Sequence, residues 1–104
     1  MVGNYNVITL CGSTKFKDEF IEMQKRLTLE GNIVISVGLF GHADGEFGTI
    51  ITDEVKEMLD DMHKRKIDMC DEVFVINKGG YIGSSTRSEI EYANNIGKTV
   101  RYYE

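Results

Sequence analysis

Apolar residues follow two periods along this chain, and the two alternate. Val7 to Cys11, VITLC, is a short β-rich run ending at Gly12-Ser13-Thr14, the form of a buried strand entering a glycine turn. From Lys15 onward Phe16, Phe20, Met23 and Leu27 recur at helical spacing. Lys17, Asp18, Glu22, Lys25 and Arg26 fill the other positions, which predicts an amphipathic helix ended by Gly31. NIVISVGLF follows as a second apolar, β-branched run, too continuous for a half-exposed strand. Between Gly38 and Gly48 no period fits, so that stretch reads as a loop. Thr52 or Asp53 caps the next predicted helix, with Val55, Met58, Leu59, Met62 and Met69 or Cys70 along its inner side. EVFVIN is the third strand, Thr86 to Asn95 a helix capped by Gly97, and TVRYY the last strand.

Strands alternating with helices imply β-α-β crossovers and a parallel sheet covered on both faces. The expected fold is a three-layer α/β/α, flavodoxin- or Rossmann-like domain with a parallel sheet of four to five strands. With 104 residues it forms one domain, 1–104. Ligands of such sheets gather beyond the carboxyl ends of the strands, near a switch in strand order. Those ends carry CGSTK, VGLFGHADGEFG and NKGGYIGSSTRSE, which collects the glycines, hydroxyls and charges on one edge.

Composition narrows the function classes. The chain is 41% apolar and 28% charged, ordinary for a globular protein, and a net charge of −5 argues against a nucleic-acid partner. No apolar run is long enough to span a bilayer, and no basic segment followed by an apolar one opens the chain, so a cytoplasmic protein without a membrane partner is expected. Cys11 and Cys70 belong to no paired-cysteine motif and read as reduced core thiols; no metal and no cofactor are expected.

Two stretches carry candidate chemistry. In CGSTK, Gly12 permits a tight turn that leaves Ser13, Thr14 and the first helical N–H groups facing outward, where an anion fits and Lys15 adds charge. The same residues also read as a plain helix cap, and the stretch is neither a Walker A loop nor GxGxxG. In GGYIGSSTRSEIEYA, Thr86-Arg87-Ser88-Glu89 matches a capping box in which Glu89 reaches back to the Thr86 N–H. That box leaves Gly83, Ser84, Ser85 and Arg87 unexplained, and a ligand would account for them. A carboxylate in the first helical turn is also kept ionised by the helix dipole, available as a nucleophile or a stabiliser of positive charge.

ITLCGS, CDEVFVIN and GSSTRSEIEYANNIGKTV together resemble the nucleoside 2-deoxyribosyltransferase family, including its 2′-deoxynucleoside 5′-monophosphate N-glycosidase branch. The resemblance covers most of the chain. It implies that Glu89 is the catalytic carboxylate that attacks the anomeric carbon and forms a covalent sugar-enzyme intermediate, which suits an oxocarbenium-like transition state. It also implies a second acidic group near the helix before strand three. The chain departs from the family there: the nearest position is His63, with Asp60 and Asp61 before it and Asp68 after. His63 can donate a proton near neutral pH, although a histidine beside Lys64, Arg65 and Lys66 also reads as a solvated surface residue. The monophosphate-cleaving branch implies 5′-phosphate binding by Gly12, Ser13, Thr14 and Lys15 together with Gly83, Ser84, Ser85 and Arg87. Phe40, His42 and Asp44, in a loop with glycines that permit lid motion, would border the base. The implied partners are a small-molecule nucleoside or nucleotide and, as a homodimer or higher homo-oligomer, further copies of the chain.

The expected function is thus cleavage or transfer at the N-glycosidic bond of a (deoxy)nucleoside 5′-monophosphate or nucleoside. The alternative is a non-catalytic nucleotide-binding module of the same fold. A phospho-receiver is disfavoured, because strand one carries no acidic cluster and Asn77 stands where the acceptor aspartate would end strand three.

Overall fold

Two faces of one parallel sheet organise the chain, and each face buries its own set of side chains. The computed structural model describes residues 3–40 and 52–104. In chain order the elements are β1 (Val7–Gly12), α1 (Lys17–Leu29), β2 (Ile33–Ile35), α2 (Asp53–Asp68), β3 (Glu72–Ile76), α3 (Ser84–Asn95) and β4 (Thr99–Tyr102), with a short 3-10 turn over Lys78–Gly80. The four strands are all parallel in the order β2-β1-β3-β4, a small flavodoxin-like α/β arrangement.

Alternation along the two central strands assigns the faces. Ile8, Leu10, Phe74 and Ile76 pack with Phe20, Met23 and Leu27 of α1. Cys11, Val73 and Val75 point the other way, onto Ile67 of α2, Cys70 and Ala93 of α3. Both central strands are therefore apolar on both sides, which is why VITLC and EVFVIN read as continuous apolar runs. Both cysteines are buried and free.

The order of strands places β1 at a switch: the chain leaves it toward β2 on one side and returns to β3 on the other. Gly12 ends β1 opposite Ile76 of β3, with φ +148°, and a Cβ there would lie only 2.6 Å from the Ile76 carbonyl oxygen. The Gly12 turn and the Lys78–Gly80 turn after β3 thus leave the same edge of the sheet.

Three elements differ from expectation. β2 is three residues long rather than the whole of NIVISVGLF; only Ile33–Ile35 finds partners on β1, and the Lys66 ammonium takes the Ser36 carbonyl at 2.9 Å just beyond. Met58, Met62 and Met69 face outward, at 51%, 45% and 68% exposure. The inner stripe of α2 keeps Val55 and Leu59 of the expected set and continues through His63 and Ile67, spaced four apart, of which His63 and Ile67 are buried, with the expected alternative Cys70 buried just beyond. Finally, α3 begins at Ser84 with Gly83 as its cap, extended at φ −77° and ψ 173°, and the Arg87 N–H bonds the Gly83 carbonyl at 2.9 Å. The capping box expected at Thr86 is not formed. Thr86 is buried inside the first turn, and Glu89 stands in the second turn, beyond the reach of the terminal dipole. The Thr52 hydroxyl caps α2 as expected, accepting from the Val55 N–H at 3.2 Å.

Candidate active site

Three elements deliver one functional side chain each to a point beside the end of β1. Cys11 is the last side chain of β1 on the α2/α3 face, His63 lies on the inner stripe of α2, and Glu89 sits one turn into α3. The Cys11 sulfur is 3.2 Å from His63 Nε2, and that nitrogen is 3.8 Å from Glu89 Oε1. All three donor atoms lie within 4.8 Å of one another. The side chains of His63 and Glu89 retain only 9% and 12% of their exposure, so this is an enclosed polar cluster rather than a surface ion pair.

Burial sets its protonation. Loss of solvent, then the charge of Asp60, raises Glu89 to about 7, against the hydrogen bond from Cys11 and the ammonium groups of Lys64 and Lys56. His63 is lowered to about 4, first by loss of solvent and then by Lys66, while a hydrogen bond to the Leu10 backbone and the charge of Asp60 oppose the shift. Burial pushes the Cys11 thiol well up, and the Glu89 carboxylate adds to that. At neutral pH the cluster therefore holds a thiol, an uncharged imidazole and a carboxyl at its midpoint. An activated thiolate paired with imidazolium, the state a cysteine nucleophile needs, is not what this environment favours.

Glu89 also opens outward. With Asp60 and Lys64 of α2 and Ser85 and Ser88 of α3 it lines a cleft of about 60 Å³. One carboxyl with an adjustable proton, a second carboxyl, an ammonium and two hydroxyls face a common space.

The remaining expected residues divide. Ser13 holds its own turn, its carbonyl accepting from the Phe16 N–H at 3.0 Å, and Thr14 follows it, partly buried. The Lys15 ammonium lies 3.6 Å from the centre of the Tyr81 ring, and Phe16 meets the same ring edge-on at 6.0 Å. The turn after β1 and the Gly79–Gly83 segment are thus stitched together over the sheet edge. Ser84, Ser85 and Arg87 are exposed on the first turn of α3. Phe40 turns inward instead, edge-on to Phe20 at 5.6 Å, against the α1 core. His42 and Asp44, and most of the loop read as a lid, lie outside the described residues.

No family model matches the chain, and no curated protein matches it either.

Asp68 does not join the cluster. It ends α2, at the edge where the chain turns into the start of β3, and there accepts from the Tyr92 hydroxyl at 2.5 Å and pairs with Arg65 at 2.9 Å. Asp61 points to solvent beside Arg65, its side chain 74% exposed. Cys11, Asp60, Lys64 and Ser88 are the site residues that sequence reasoning left out or left unassigned. Their signals were present: Cys11 immediately precedes the switch-point glycine, and Asp60 and Lys64 stand four apart on one face of the helix that carries His63.

Proposed function

We propose that the protein acts on the N-glycosidic bond of a nucleotide, a (deoxy)nucleoside 5′-monophosphate, with Glu89 as the catalytic carboxylate. The reading rests on one observation above all. Glu89 lines a cleft shared with a second acid, Asp60, instead of folding back to cap its own helix. In its ionised form Glu89 attacks C1′, the bond to the base breaks, and the positive charge developing on the sugar is met by the carboxylate. His63 does not supply the proton the base requires, because it stays uncharged down to about pH 4. The departing base takes that proton from solvent water entering the cleft, Asp60 faces Glu89 across it with the charge that raises the carboxyl, and His63 positions Glu89 from behind.

The cleft admits the reacting end of the sugar, and the rest of the nucleotide extends over the neighbouring turns. There the amides at the start of α3, the Ser84 and Ser85 hydroxyls and the Arg87 guanidinium suit a 5′-phosphate, with Ser13 and Lys15 on the facing turn. Release of free base from a panel of nucleoside monophosphates and nucleosides, followed by chromatography, tests the reading. Glu89→Gln should abolish release, and Asp60→Asn, which removes a charge that raises Glu89, should move the acid limb of the pH profile to lower pH. Arg87→Ala should weaken monophosphates more than nucleosides. Base release undiminished in Glu89→Gln sinks the proposal.

The raised pKa of Glu89 favours a second reading, a nucleotide-binding module, since a carboxyl that keeps its proton near pH 7 recognises more readily than it attacks. Tight binding of a monophosphate without base release, in wild type and Glu89→Gln alike, would establish it. The family resemblance further supports a homodimer, and the exposed stripe of Met58, Met62 and Met69 is where we place its contact. Sedimentation should show a dimer that Met62→Lys dissociates.

A further inference from the structure

We propose that Cys11, His63 and Glu89 bind one divalent cation of the zinc class, with sulfur, imidazole nitrogen and carboxylate oxygen as three ligands and a cleft water as the fourth. The donor set decides the class of metal. A thiolate with an imidazole suits zinc or cobalt and does not suit calcium or magnesium, which take oxygen ligands.

The geometry is close to what such an ion requires. Tetrahedral coordination at ordinary zinc bond lengths separates sulfur from nitrogen by about 3.6 Å and nitrogen from oxygen by about 3.3 Å. The observed separations are 3.2 Å and 3.8 Å, and sulfur and oxygen lie within 4.8 Å where an ion requires about 3.6 Å, so side-chain shifts of up to about one ångström complete the triangle. The three ligands come from three different packed elements, β1, α2 and α3, which holds them in place before any metal arrives. Glu89 links the buried pair to the cleft, which provides the route in and the fourth ligand.

Binding releases protons. The Cys11 thiol gives up its hydrogen to solvent, Glu89 gives up its own when it carries one, and the neutral imidazole donates its lone pair without losing anything. The charges facing the cluster are those of Asp60, Lys56, Lys64 and Lys66, so three cations oppose the ion and one anion favours it. Because binding releases protons, affinity should rise with pH. Ligands at positions 11, 63 and 89 share no local motif, which is why spacing along the chain gives no sign of the site. The binding does not depend on the glycosidic reading; where both hold, the ion withdraws Glu89 from substrate and inhibits.

The test is a titration of the full chain, kept reduced by a phosphine, with Co²⁺. A thiolate-to-cobalt charge-transfer band should grow in the near ultraviolet, saturate at one cobalt per chain and disappear on adding Zn²⁺. Cys11→Ser should remove the band and Cys70→Ser should keep it. His63→Gln and Glu89→Gln should weaken binding by more than about tenfold, the scale on which even outer partners of a metal act. Absence of the band in folded wild-type protein with excess cobalt overturns the proposal, and so does a band lost only in Cys70→Ser. If circular dichroism shows Cys11→Ser unfolded, the thermal midpoint decides: Zn²⁺ should raise that of wild type and not that of Glu89→Gln, and no rise in wild type overturns it. Because none of these readouts uses turnover, failure here leaves the glycosidic proposal standing, and the reverse holds as well.

Discussion

Glu89 holds its proton in the fold over a range where the unfolded chain has already lost it. Its ordinary value is 4.5 and its folded value about 7, so ionisation between these pH values opposes folding, and stability falls as pH rises through that window by up to about 3 kcal/mol. Glu89→Gln carries no charge at any pH. In thermal denaturation with a chelator present it should match wild type near pH 4.5 and exceed it by several degrees at pH 8; equal midpoints at both pH values would mean that the carboxyl is not buried as described. His63 works in the opposite direction, since its value drops from 6.5 to about 4 and the fold loses stability as pH falls through that range. Activity has its own signature. If the carboxylate form attacks, kcat/KM should climb tenfold per pH unit below about 7 and level off above it, and a flat profile there would exclude Glu89 as the titrating nucleophile. These two residues were unequally legible. The Thr86-x-x-Glu89 pattern singles out Glu89, but the dipole argument needs that residue in the first turn, and the helix, starting at Ser84, puts it in the second. His63 was obscured by the three basic residues after it, although its spacing from Leu59 and Ile67 puts it on the buried face.

Local patterns fail at the element scale where tertiary contacts offer better partners. Thr86-x-x-Glu89 has the letters of a capping box, yet Gly83 is already extended and starts α3 two residues before Thr86, while burial takes Thr86 into the interior and Cys11 and His63 take the Glu89 side chain. Met58, Met62 and Met69 satisfy a helical period as well as Val55, Leu59, His63 and Ile67 do. Apolarity alone puts the methionines on one side with Val55 and Leu59, and only the position of the sheet separates the two stripes. The strands were easier, because β1 and β3 are apolar on both faces, and only at the edge did β2 prove shorter than its apolar run. Gly12 is the point at which strand spacing and site meet. An alanine there would put its Cβ 2.6 Å from a β3 carbonyl oxygen at a φ that L residues avoid, and backbone cannot swing aside as a side chain can. Gly12→Ala should lose more than about 2 kcal/mol in urea denaturation and displace Cys11 from His63. A loss below about 0.5 kcal/mol would show that β1 and β3 separate there without resistance.

Stability in the whole molecule should be graded outward from the site. β1 and β3 are paired on both edges and covered on both faces, with Ile8, Leu10, Cys11, Val73, Val75 and Ile76 fully or almost fully buried. Among the described residues β2 and β4 each pair along one edge, and along β4 only Val100 is partly covered. Opening a central strand exposes both core layers at once and so requires nearly global unfolding, whereas an edge strand can detach while the rest persists. Native-state hydrogen exchange should therefore find the slowest amides in Thr9 to Cys11 and Val73 to Ile76, with β2 and β4 exchanging earlier. The tail of β4 is a graded case. The Tyr103 N–H bonds the Val75 carbonyl at 2.8 Å, and Glu104 joins Asn77 and the Gly79 N–H, so release of β4 also frees the turn leading to α3. Asn77→Ala cuts two of those bonds at a buried position and should quicken exchange at Gly79 and Gly80 together with β4, leaving β1 unchanged. Equal protection in all four strands would mean that the sheet opens only as a unit. The Cys11, His63 and Glu89 cluster would then be as rigid as the core, with no local motion available to admit substrate or metal.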